Sequence, residues 1–434
     1  MENLHTSILT IKALKIVIPI AIVLAVFVIK LVSNRSQKRI VYYDDESAYT
    51  SAEGENAPQN QYDDDEEDDY DPEKEKEESR KDIEKFTKQL ENAQTNEQKA
   101  ELYCCRSEAY SSLDMQSQAM EDINEAIALC PQNDHYYYKR ADLLLVHDDN
   151  KALQDITTAI SLAPKNAGYY DLRANIYLLN PQNFDRAMED FSTFIDFFAS
   201  SSDISASDAA DAYFGRGRIY FYLKQYNKAL ENVTKSIELI YGQEDILSKF
   251  ARYRYYALRA RTYYAEGNFD AAIRDYDFLV ENDEYERGQW ILKRAQTYIK
   301  KGDKAKAKKE FSKLTNSDSP TYALPRAEAF QTLGKPEKAL EVLNSEEDNT
   351  KNIIEEYTEY AMNDFDTHFL KMYFLRGEVY EKMQNPDKAL EDYKRSIEYF
   401  EKIFARNKSE LNIYDHIRYN DCVNRIAEIT GNKP

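Results

Sequence analysis

The chain is poor in glycine and proline, with 11 of each among 434 residues, and it has a single tryptophan. Because glycine and proline supply most tight turns, and glycine most phosphate-binding loops, this scarcity argues against a β-rich fold and against a nucleotide-binding loop. Basic residues are outnumbered, 57 Lys and Arg against 78 Asp and Glu, for a net charge of −21. Nucleic-acid-binding proteins present a basic face, so we expect no nucleic-acid partner.

Cysteine and histidine are also sparse. The four cysteines, Cys104, Cys105, Cys130 and Cys422, show no Cys-x-x-Cys spacing, so we expect them to be reduced thiols in the core. The five histidines are scattered, without metal-ligand spacing or a paired nucleophile. No cofactor motif is present in the sequence. The sequence therefore predicts that the protein is not an enzyme and has no cofactor and no metal site.

One uncharged apolar run lies near the N-terminus, from Ile16 to Ile29, with Lys15 and Lys30 on either side. Residues 13–32 give roughly the 20 residues that a bilayer core needs, since lysine stems can extend along the core edge. We predict a short tail at 1–12 and a transmembrane anchor at 13–32. A cleaved signal peptide is the alternative, although no small-residue cleavage site follows. Lys and Arg are more frequent after the run than before it, so the remainder is predicted to be cytosolic.

An acidic, polar stretch follows this run and includes an unbroken acidic segment from Asp63 to Asp69. Such a composition cannot bury enough apolar surface to offset the entropy of ordering, so residues 33–82 are predicted to form a disordered linker. The linker serves either as a solvated spacer or as a docking strip for basic, amphipathic peptides. The sequence alone leaves both interpretations open.

The most informative pattern is a motif that recurs eight times: an arginine, a small residue, two free positions, and then an aromatic residue or leucine. An alanine follows 11–13 positions after each small residue and opens a second helical pattern. Self-similarity of this kind, with a period in the thirties, predicts stacked pairs of helices. The arginines are Arg106, Arg140, Arg173, Arg216, Arg259, Arg294, Arg326 and Arg376, and the alanines are Ala119, Ala152, Ala187, Ala229, Ala272, Ala307, Ala339 and Ala389.

The fifth unit shows the pattern clearly. Arg259, Ala260 and Tyr263 lie on its first helix, Gly267 is predicted to end that helix in a left-handed conformation, and Ala272 lies on the second. This pattern closely resembles the tetratricopeptide repeat, over about residues 100–400. The resemblance implies an all-α superhelix of about eight or more helix-turn-helix units. We place an N-terminal block at 83–200, a C-terminal block at 205–400 and capping helices at 401–434, and expect an extra helix or degenerate unit at 352–357.

An acidic residue follows most of the arginines by about sixteen positions. We predict that each acid contacts its arginine between the two helices of its unit, where the pair fixes helix register more than it adds stability. Two separately solvated faces are the alternative. The predicted pairs are Arg106/Asp122, Arg140/Asp155, Arg173/Asp190, Arg259/Asp275, Arg294/Glu310 and Arg376/Asp392.

The resemblance also implies a concave wall formed by the first helices. In the middle of the chain its positions mix apolar side chains with arginines, which suits an amphipathic or extended peptide. Packing between neighbouring repeats is the alternative role for the aromatic members. The predicted polypeptide-binding residues are Tyr138, Asp142, Leu145, Phe214, Arg218, Phe221, Arg254, Arg261, Tyr264, Leu292 and Ile299.

An N-terminal anchor, a charged linker and C-terminal repeats together resemble the 70-kDa class of import receptor in the translocase of the mitochondrial outer membrane. The resemblance implies a single-pass receptor, on mitochondria or a related organelle, that binds precursor proteins with mitochondrial targeting signals and passes them to import-channel subunits. In that family the repeats also dock cytosolic chaperones, but the usual carboxylate clamp is absent here. A membrane-anchored co-chaperone or adaptor elsewhere, such as at the endoplasmic reticulum, is the alternative. The clamp positions hold Cys104, Ser107, Glu108, Lys139, Gly168 and Leu172.

Overall fold

A computed structural model describes residues 72–145, 148–201, 204–243, 245–317, 319, 322–357, 362–406 and 413–431. The predicted anchor at 13–32 lies outside these residues, as does the predicted linker up to residue 71. Within the part of the chain that is described, no helix combines the length and the apolar character needed to cross a membrane.

The described residues are helical throughout, with eighteen α-helices, one short 3-10 helix at Pro181–Asn183, and no β-strand among them. The α-helices are α1 (Pro72–Asn92), α2 (Asn96–Ser112), α3 (Gln116–Leu129), α4 (Asp134–Leu144), α5 (Asp149–Leu162), α6 (Ala167–Leu178), α7 (Phe184–Ser200), α8 (Ala206–Tyr222), α9 (Tyr226–Leu239), α10 (Ile246–Glu266), α11 (Phe269–Asn282), α12 (Arg287–Lys301), α13 (Lys304–Thr315), α14 (Ala323–Thr332), α15 (Pro336–Tyr357), α16 (Met362–Lys382), α17 (Pro386–Arg406) and α18 (Ile413–Thr430).

These helices fall into two compact units. The N-terminal unit contains α1 to α7 and α8 as far as Ile219, and the C-terminal unit contains the described helices from Tyr220 onward. The division lies inside α8, beyond the serine-rich segment near residue 200 where the sequence suggests a boundary. Within each unit, successive helices pack as pairs: α2 with α3, α4 with α5 and α6 with α7, and then α10 with α11, α12 with α13, α14 with α15 and α16 with α17.

Each pair closes around two small residues. The recurrent small residue of the first helix and the recurrent alanine of the second are buried in all eight repeats. In the first repeat the Ser107 hydroxyl donates to the Ala119 carbonyl oxygen over 2.7 Å. In the last repeat a Cβ on Gly377 would lie 2.6 Å from the Tyr393 ring, so no larger residue fits there. The two helices of a pair therefore approach closely because both contact positions are small.

Gly267 ends α10, as the sequence predicts. Its φ is 89°, and its N–H donates to carbonyl oxygens at the end of α10, those of Tyr263 and Tyr264. This left-handed conformation is readily accessible to glycine because it has no Cβ. The Asn268 side chain then accepts a bond from the Ala271 N–H and begins α11. One glycine–asparagine pair thus provides the turn between the two helices of the fifth repeat.

The structure places all six predicted arginine–acid pairs in contact between the two helices of a repeat. In the first, Arg106 Nε lies 2.6 Å from Asp122 Oδ2 and Nη2 lies 2.7 Å from Oδ1. The acids are buried, so these are not two separately solvated faces. The remaining pairs are Arg140–Asp155 at 2.7 Å, Arg173–Asp190 at 2.8 Å, Arg259–Asp275 at 2.8 Å, Arg294–Glu310 at 2.6 Å and Arg376–Asp392 at 2.8 Å.

The same arginines also join neighbouring repeats, through a contact that the sequence motif does not reveal. Arg140 Nη1 donates to Asn124 Oδ1 over 2.8 Å, and Arg294 Nη1 lies 2.6 Å from Asp277 Oδ1. Each acceptor is on the second helix of the preceding repeat, two positions after that repeat's acid. A single guanidinium therefore fixes register within one helix pair and between adjacent pairs.

The beginning of the described region corrects the predicted extent of the linker. Residues 72–82, predicted to be disordered, are helical and belong to α1. Glu77 lies 3.6 Å from both Arg80 and Lys81, at the spacings that place side chains next to each other on a helix. Glutamate and lysine are good helix formers, so this mixed-charge segment favours a helix where an all-acidic run does not.

Two further features concern the C-terminal end. Residues 352–357 do not form a separate helix or repeat but are the last part of α15, which continues unbroken from Pro336 to Tyr357. The following pair, α16 and α17, is covered by α18, which buries Cys422 against Ala389 and Tyr393. The last helix thus packs on apolar surface of the final repeat.

Candidate functional site

The first helices of the N-terminal unit carry an acidic surface, which we call the α2–α4–α6 face and define by Glu101, Glu108, Asp134, Lys139 and Asp142. Bonds between neighbouring helices hold it together. The Tyr136 hydroxyl donates to Glu101 Oε2 over 3.1 Å, and the Tyr169 hydroxyl donates to Asp134 Oδ2 over 2.6 Å. Burial, together with the adjacent carboxylates, raises the pKa of both tyrosines, which therefore remain donors at neutral pH.

Lys139 is the cation of this face, and Glu108 forms an ion pair with it. Burial disfavours the charge on Lys139, but the bond to Glu108 outweighs burial and raises its pKa. Among the positions that correspond to a carboxylate clamp, Lys139 is the single cationic side chain. Because its charge is balanced by Glu108, this face is poorly suited to gripping the carboxylates of an acidic peptide tail.

Cys104, Glu108 and His135 come together on the same face, with one potential ligand atom from each lying within 4.8 Å of the other two. Cys104 is buried, whereas Glu108 and His135 are exposed. Burial, with a further contribution from Glu108, raises the pKa of the Cys104 thiol to about 12. Partial desolvation of the ring and then the charge of Lys139 lower the pKa of His135, which favours a neutral imidazole.

The spacing of residues in the sequence does not predict this cluster, because His135 is distant from Cys104 along the chain. A signal was present nonetheless: Cys104 and Glu108 are four residues apart, and therefore share one side of α2. His135 lies at the start of α4, the first helix of the next repeat. First helices of adjacent repeats are neighbours, so a ligand on one can meet ligands on the next.

The C-terminal unit presents a different surface, the α10–α12 face, which we define by Arg254, Arg261, Tyr264, Lys293 and Lys300. Arg254 and Arg261 are seven residues apart, about two helical turns, and so share one side of α10; Lys293 and Lys300 share one side of α12 in the same way. Burial raises the pKa of Tyr264, and the charge of Lys293 opposes that effect. This face therefore combines cations with an aromatic ring.

The surface continues from α12 to α14. Gln296 Nε2 donates to Glu328 Oε1 over 2.7 Å, which ties the two first helices together. On α10, the Tyr264 ring packs edge-to-face on Phe269, with ring centroids 5.8 Å apart. These contacts hold the aromatic and polar groups on packed helices of the C-terminal unit.

Three of the predicted polypeptide-binding residues are corrected by their burial. Leu145, Phe214 and Leu292 are 5 %, 2 % and 0 % exposed, so they belong to the core and do not line a surface. Leu292, for example, packs with Phe311 and Leu314 of α13. Their apolar character reflects packing between helices, which is the alternative role that the sequence leaves open for an aromatic member such as Phe214.

The other predicted residues retain some exposure. Tyr138 is half-buried and stacks on Tyr169, with ring centroids 5.2 Å apart, and the guanidinium of half-buried Arg218 lies 5.9 Å from the Phe214 ring centroid. Ile299, on α12, is 42 % exposed, which is unusual for a large apolar side chain. The remaining predicted members, Asp142, Phe221, Arg254, Arg261 and Tyr264, are half-buried.

Two family models, both described as tetratricopeptide repeat, match this chain. One matches residues 210–241 and 370–403, and the other matches residues 258–318. The chain is a tetratricopeptide-repeat protein. The matched segments of this repeat protein include α9, α11 to α13 and most of α17, so they fall largely in its C-terminal unit. No curated protein matches the sequence.

Solved structures of tetratricopeptide-repeat proteins are similar to this one. A protein from Parabacteroides merdae ATCC 43184 is 19 % identical, with 58 % of this chain and 93 % of that chain covered and a TM-score of 0.44. The C-terminal part of a protein from Cytophaga hutchinsonii is 20 % identical, with coverage of 57 % and 95 % and a TM-score of 0.43. YrrB, described as having an unusual peptide-binding site, is 21 % identical, with coverage of 45 % and 92 % and a TM-score of 0.36.

Proposed function

We infer that this chain acts by binding other proteins, because tetratricopeptide repeats are scaffolds for protein–protein interaction and are typically not catalytic. We propose that it is a membrane-anchored receptor that binds precursor proteins carrying mitochondrial targeting signals and passes them to the import channel of the outer membrane. The observation that carries this proposal is the α10–α12 face, where Arg254, Arg261 and Tyr264 of α10 and Lys293 of α12 are half-buried.

The chemistry of this face suits an extended polypeptide with apolar and acidic side chains. A half-buried aromatic ring gives an apolar residue a site to pack against, and arginine binds carboxylates and backbone carbonyls with directional hydrogen bonds. Ile299 is exposed and adds apolar area to the side of α12 that carries Gln296. The apolar run at 16–29 supports attachment to a membrane, and the acidic stretch that follows supports a spacer between that run and the repeats.

A peptide-binding experiment tests the role of the α10–α12 face. Labelled peptides from apolar, mildly acidic segments of mitochondrial precursors are titrated with the full-length protein in detergent, and anisotropy is recorded. The triple variant Arg254→Glu, Arg261→Glu and Lys293→Glu should bind the peptide at least about tenfold more weakly. Three cations that attract the acidic side chains of the peptide become anions that repel them. The matched control changes Lys304, Lys308 and Lys309 to Glu on α13, where all three are exposed.

The control should leave affinity within about twofold of the unaltered protein, since these lysines belong to the second helix of their repeat and not to the α10–α12 face. Equal binding by the triple variant, with an unchanged circular dichroism spectrum, would show that this face is not the peptide site. Location is tested separately by imaging a tagged copy beside a mitochondrial marker. An endoplasmic-reticulum pattern would refute the import receptor and favour an adaptor or co-chaperone at that membrane.

A further inference from the structure

Cys104, Glu108 and His135 supply three different metal-binding donors to one point on the α2–α4–α6 face. Their ligand atoms lie within 4.8 Å of one another. Zinc bonds of about 2.0–2.3 Å in a tetrahedral shell place ligand atoms roughly 3.3–3.8 Å apart. Closing the cluster around an ion therefore needs movements of about 1 Å, which side-chain rotation alone provides at exposed Glu108 and His135.

The structure also holds the donors in place. The Asn133 side chain accepts a hydrogen bond from the backbone N–H of His135, which fixes the start of α4. The His135 ring stacks on the Tyr138 ring, with ring centroids 6.2 Å apart. Cys104 sits in the core against Tyr136, and it forms the closed base of the cluster. The Glu108 carboxylate and the His135 imidazole are exposed, so an ion enters the cluster from solvent on their side.

We propose that Cys104, Glu108 and His135 bind one divalent cation of the zinc class, with a water molecule in the fourth position. Sulfur, imidazole nitrogen and carboxylate oxygen together form a donor set that suits Zn²⁺ and disfavours Mg²⁺ or Ca²⁺, which prefer oxygen alone. On binding, the thiol releases its proton to solvent, and the thiolate and carboxylate balance the two charges of the ion. This proposal concerns a different face from the peptide site and does not depend on it.

Lys139 competes with the ion in the cation-free protein. Its ammonium group forms an ion pair with Glu108, and this pair must open before the carboxylate can coordinate a metal. Side chains of this length reorient without backbone movement, and Lys139 can then extend into solvent. Removing the ammonium group should therefore strengthen metal binding, an outcome that a purely structural ion pair does not predict.

The test is a titration of the full-length protein, in detergent, with Co²⁺ and then with Zn²⁺. One Co²⁺ per chain should bind and produce a near-ultraviolet charge-transfer band, the signature of a thiolate ligand. Zn²⁺ should displace it. Cys104→Ser should remove the band, and His135→Ala should weaken Co²⁺ binding by about 100-fold or more, since loss of even an outer-shell partner costs up to that much. Lys139→Met should tighten binding about fivefold.

Controls separate this site from adventitious binding by the acidic chain. Cys105→Ser changes the neighbouring thiol of α2 and should alter neither the band nor the affinity. Circular dichroism establishes that Cys104→Ser and His135→Ala remain folded. A band that persists in Cys104→Ser, or affinity that is unchanged in His135→Ala and Lys139→Met, would overturn the proposal, as would the absence of stoichiometric binding.

Discussion

In the N-terminal unit, Arg106 binds Asp122 through two nitrogens, and in the C-terminal unit Arg259 binds Asp275 in the same way. The recurrent alanine of the second helix, Ala119 in one repeat and Ala272 in the other, is fully buried in both repeats. The cores of the two units are therefore built alike. What differs is the surface of their first helices, which is acidic on the α2–α4–α6 face and basic on the α10–α12 face.

The two faces also differ in how their charges are used. On the α2–α4–α6 face, Glu101, Glu108 and Asp134 each receive a bond from a side chain of a neighbouring helix. On the α10–α12 face, the cations repeat every two turns along each helix. Because of this difference, polypeptide binding is proposed at the basic face, and a more local role at the acidic one.

The largest expected effect tests the shared core. Asp122→Ala leaves Arg106 half-buried without its acid, and Asp275→Ala does the same to Arg259. Loss of one partner of a buried ion pair costs about 3–5 kcal/mol, so both variants should unfold at clearly lower urea concentrations. Unfolding is followed by circular dichroism.

Glu121→Ala is the matched control, because Glu121 is exposed next to Asp122, and a surface change of this kind should cost less than about 0.5 kcal/mol. If Asp122→Ala is costly and Asp275→Ala is not, the two units do not share the same core design. Equal losses would support the view that only their faces differ.

The next effect concerns a carboxylate of the C-terminal unit, Glu347 of α15. Burial opposes its charge, but bonds from Lys351, Arg376 and Tyr373 outweigh burial and lower its pKa from 4.5 to about 2. A lowered pKa adds stability above about pH 4.5 that is lost as the pH falls toward 2. Asp190 in the N-terminal unit behaves in the opposite way, since burial raises its pKa despite the opposing contribution from Arg173.

Glu347→Gln should therefore destabilise the protein by about 2 kcal/mol at pH 7 and have almost no effect near pH 2. Urea unfolding at several pH values between 2 and 7 measures the difference. Glu337→Gln, at an exposed position in the first turn of the same helix, is the control. A loss of stability that is the same at every pH would mean that Glu347 acts through packing and not through its charge.

The helical repeat is predictable from sequence because it depends on positions that recur. Arginine, the small residue and the alanine occur together eight times, and only close helix packing explains why the small positions stay small. The arginine–acid spacing likewise predicts contacts that the structure contains. Gly267 is predictable for a similar reason, since its turn requires a conformation that few other residues adopt.

The faces are less predictable because they are not periodic. Phe214 and Leu292 match the spacing of surface positions, yet packing against other helices buries them. Cys104 and His135 meet only because two first helices lie side by side, which the spacing of histidines along the chain does not show. The start of α1 is missed because composition alone does not separate a mixed-charge helix from an acidic linker.

The smallest expected effect concerns the positions that correspond to a carboxylate clamp on the acidic face. Lys139 is paired with Glu108, and Gly168 and Leu172 add neither a cation nor an amide side chain, so an acidic chaperone-tail peptide should bind the unaltered protein weakly. Glu108→Gln frees the Lys139 ammonium group and should strengthen binding of the tail peptide by up to about fivefold, the value of a half-exposed ion pair.

The control, Glu101→Gln, removes an equal charge from the same face without freeing a lysine. A fivefold gain in the first variant only would show that the Glu108 ion pair keeps Lys139 from the tail, whereas tight binding by the unaltered protein would contradict the proposed division between the two faces.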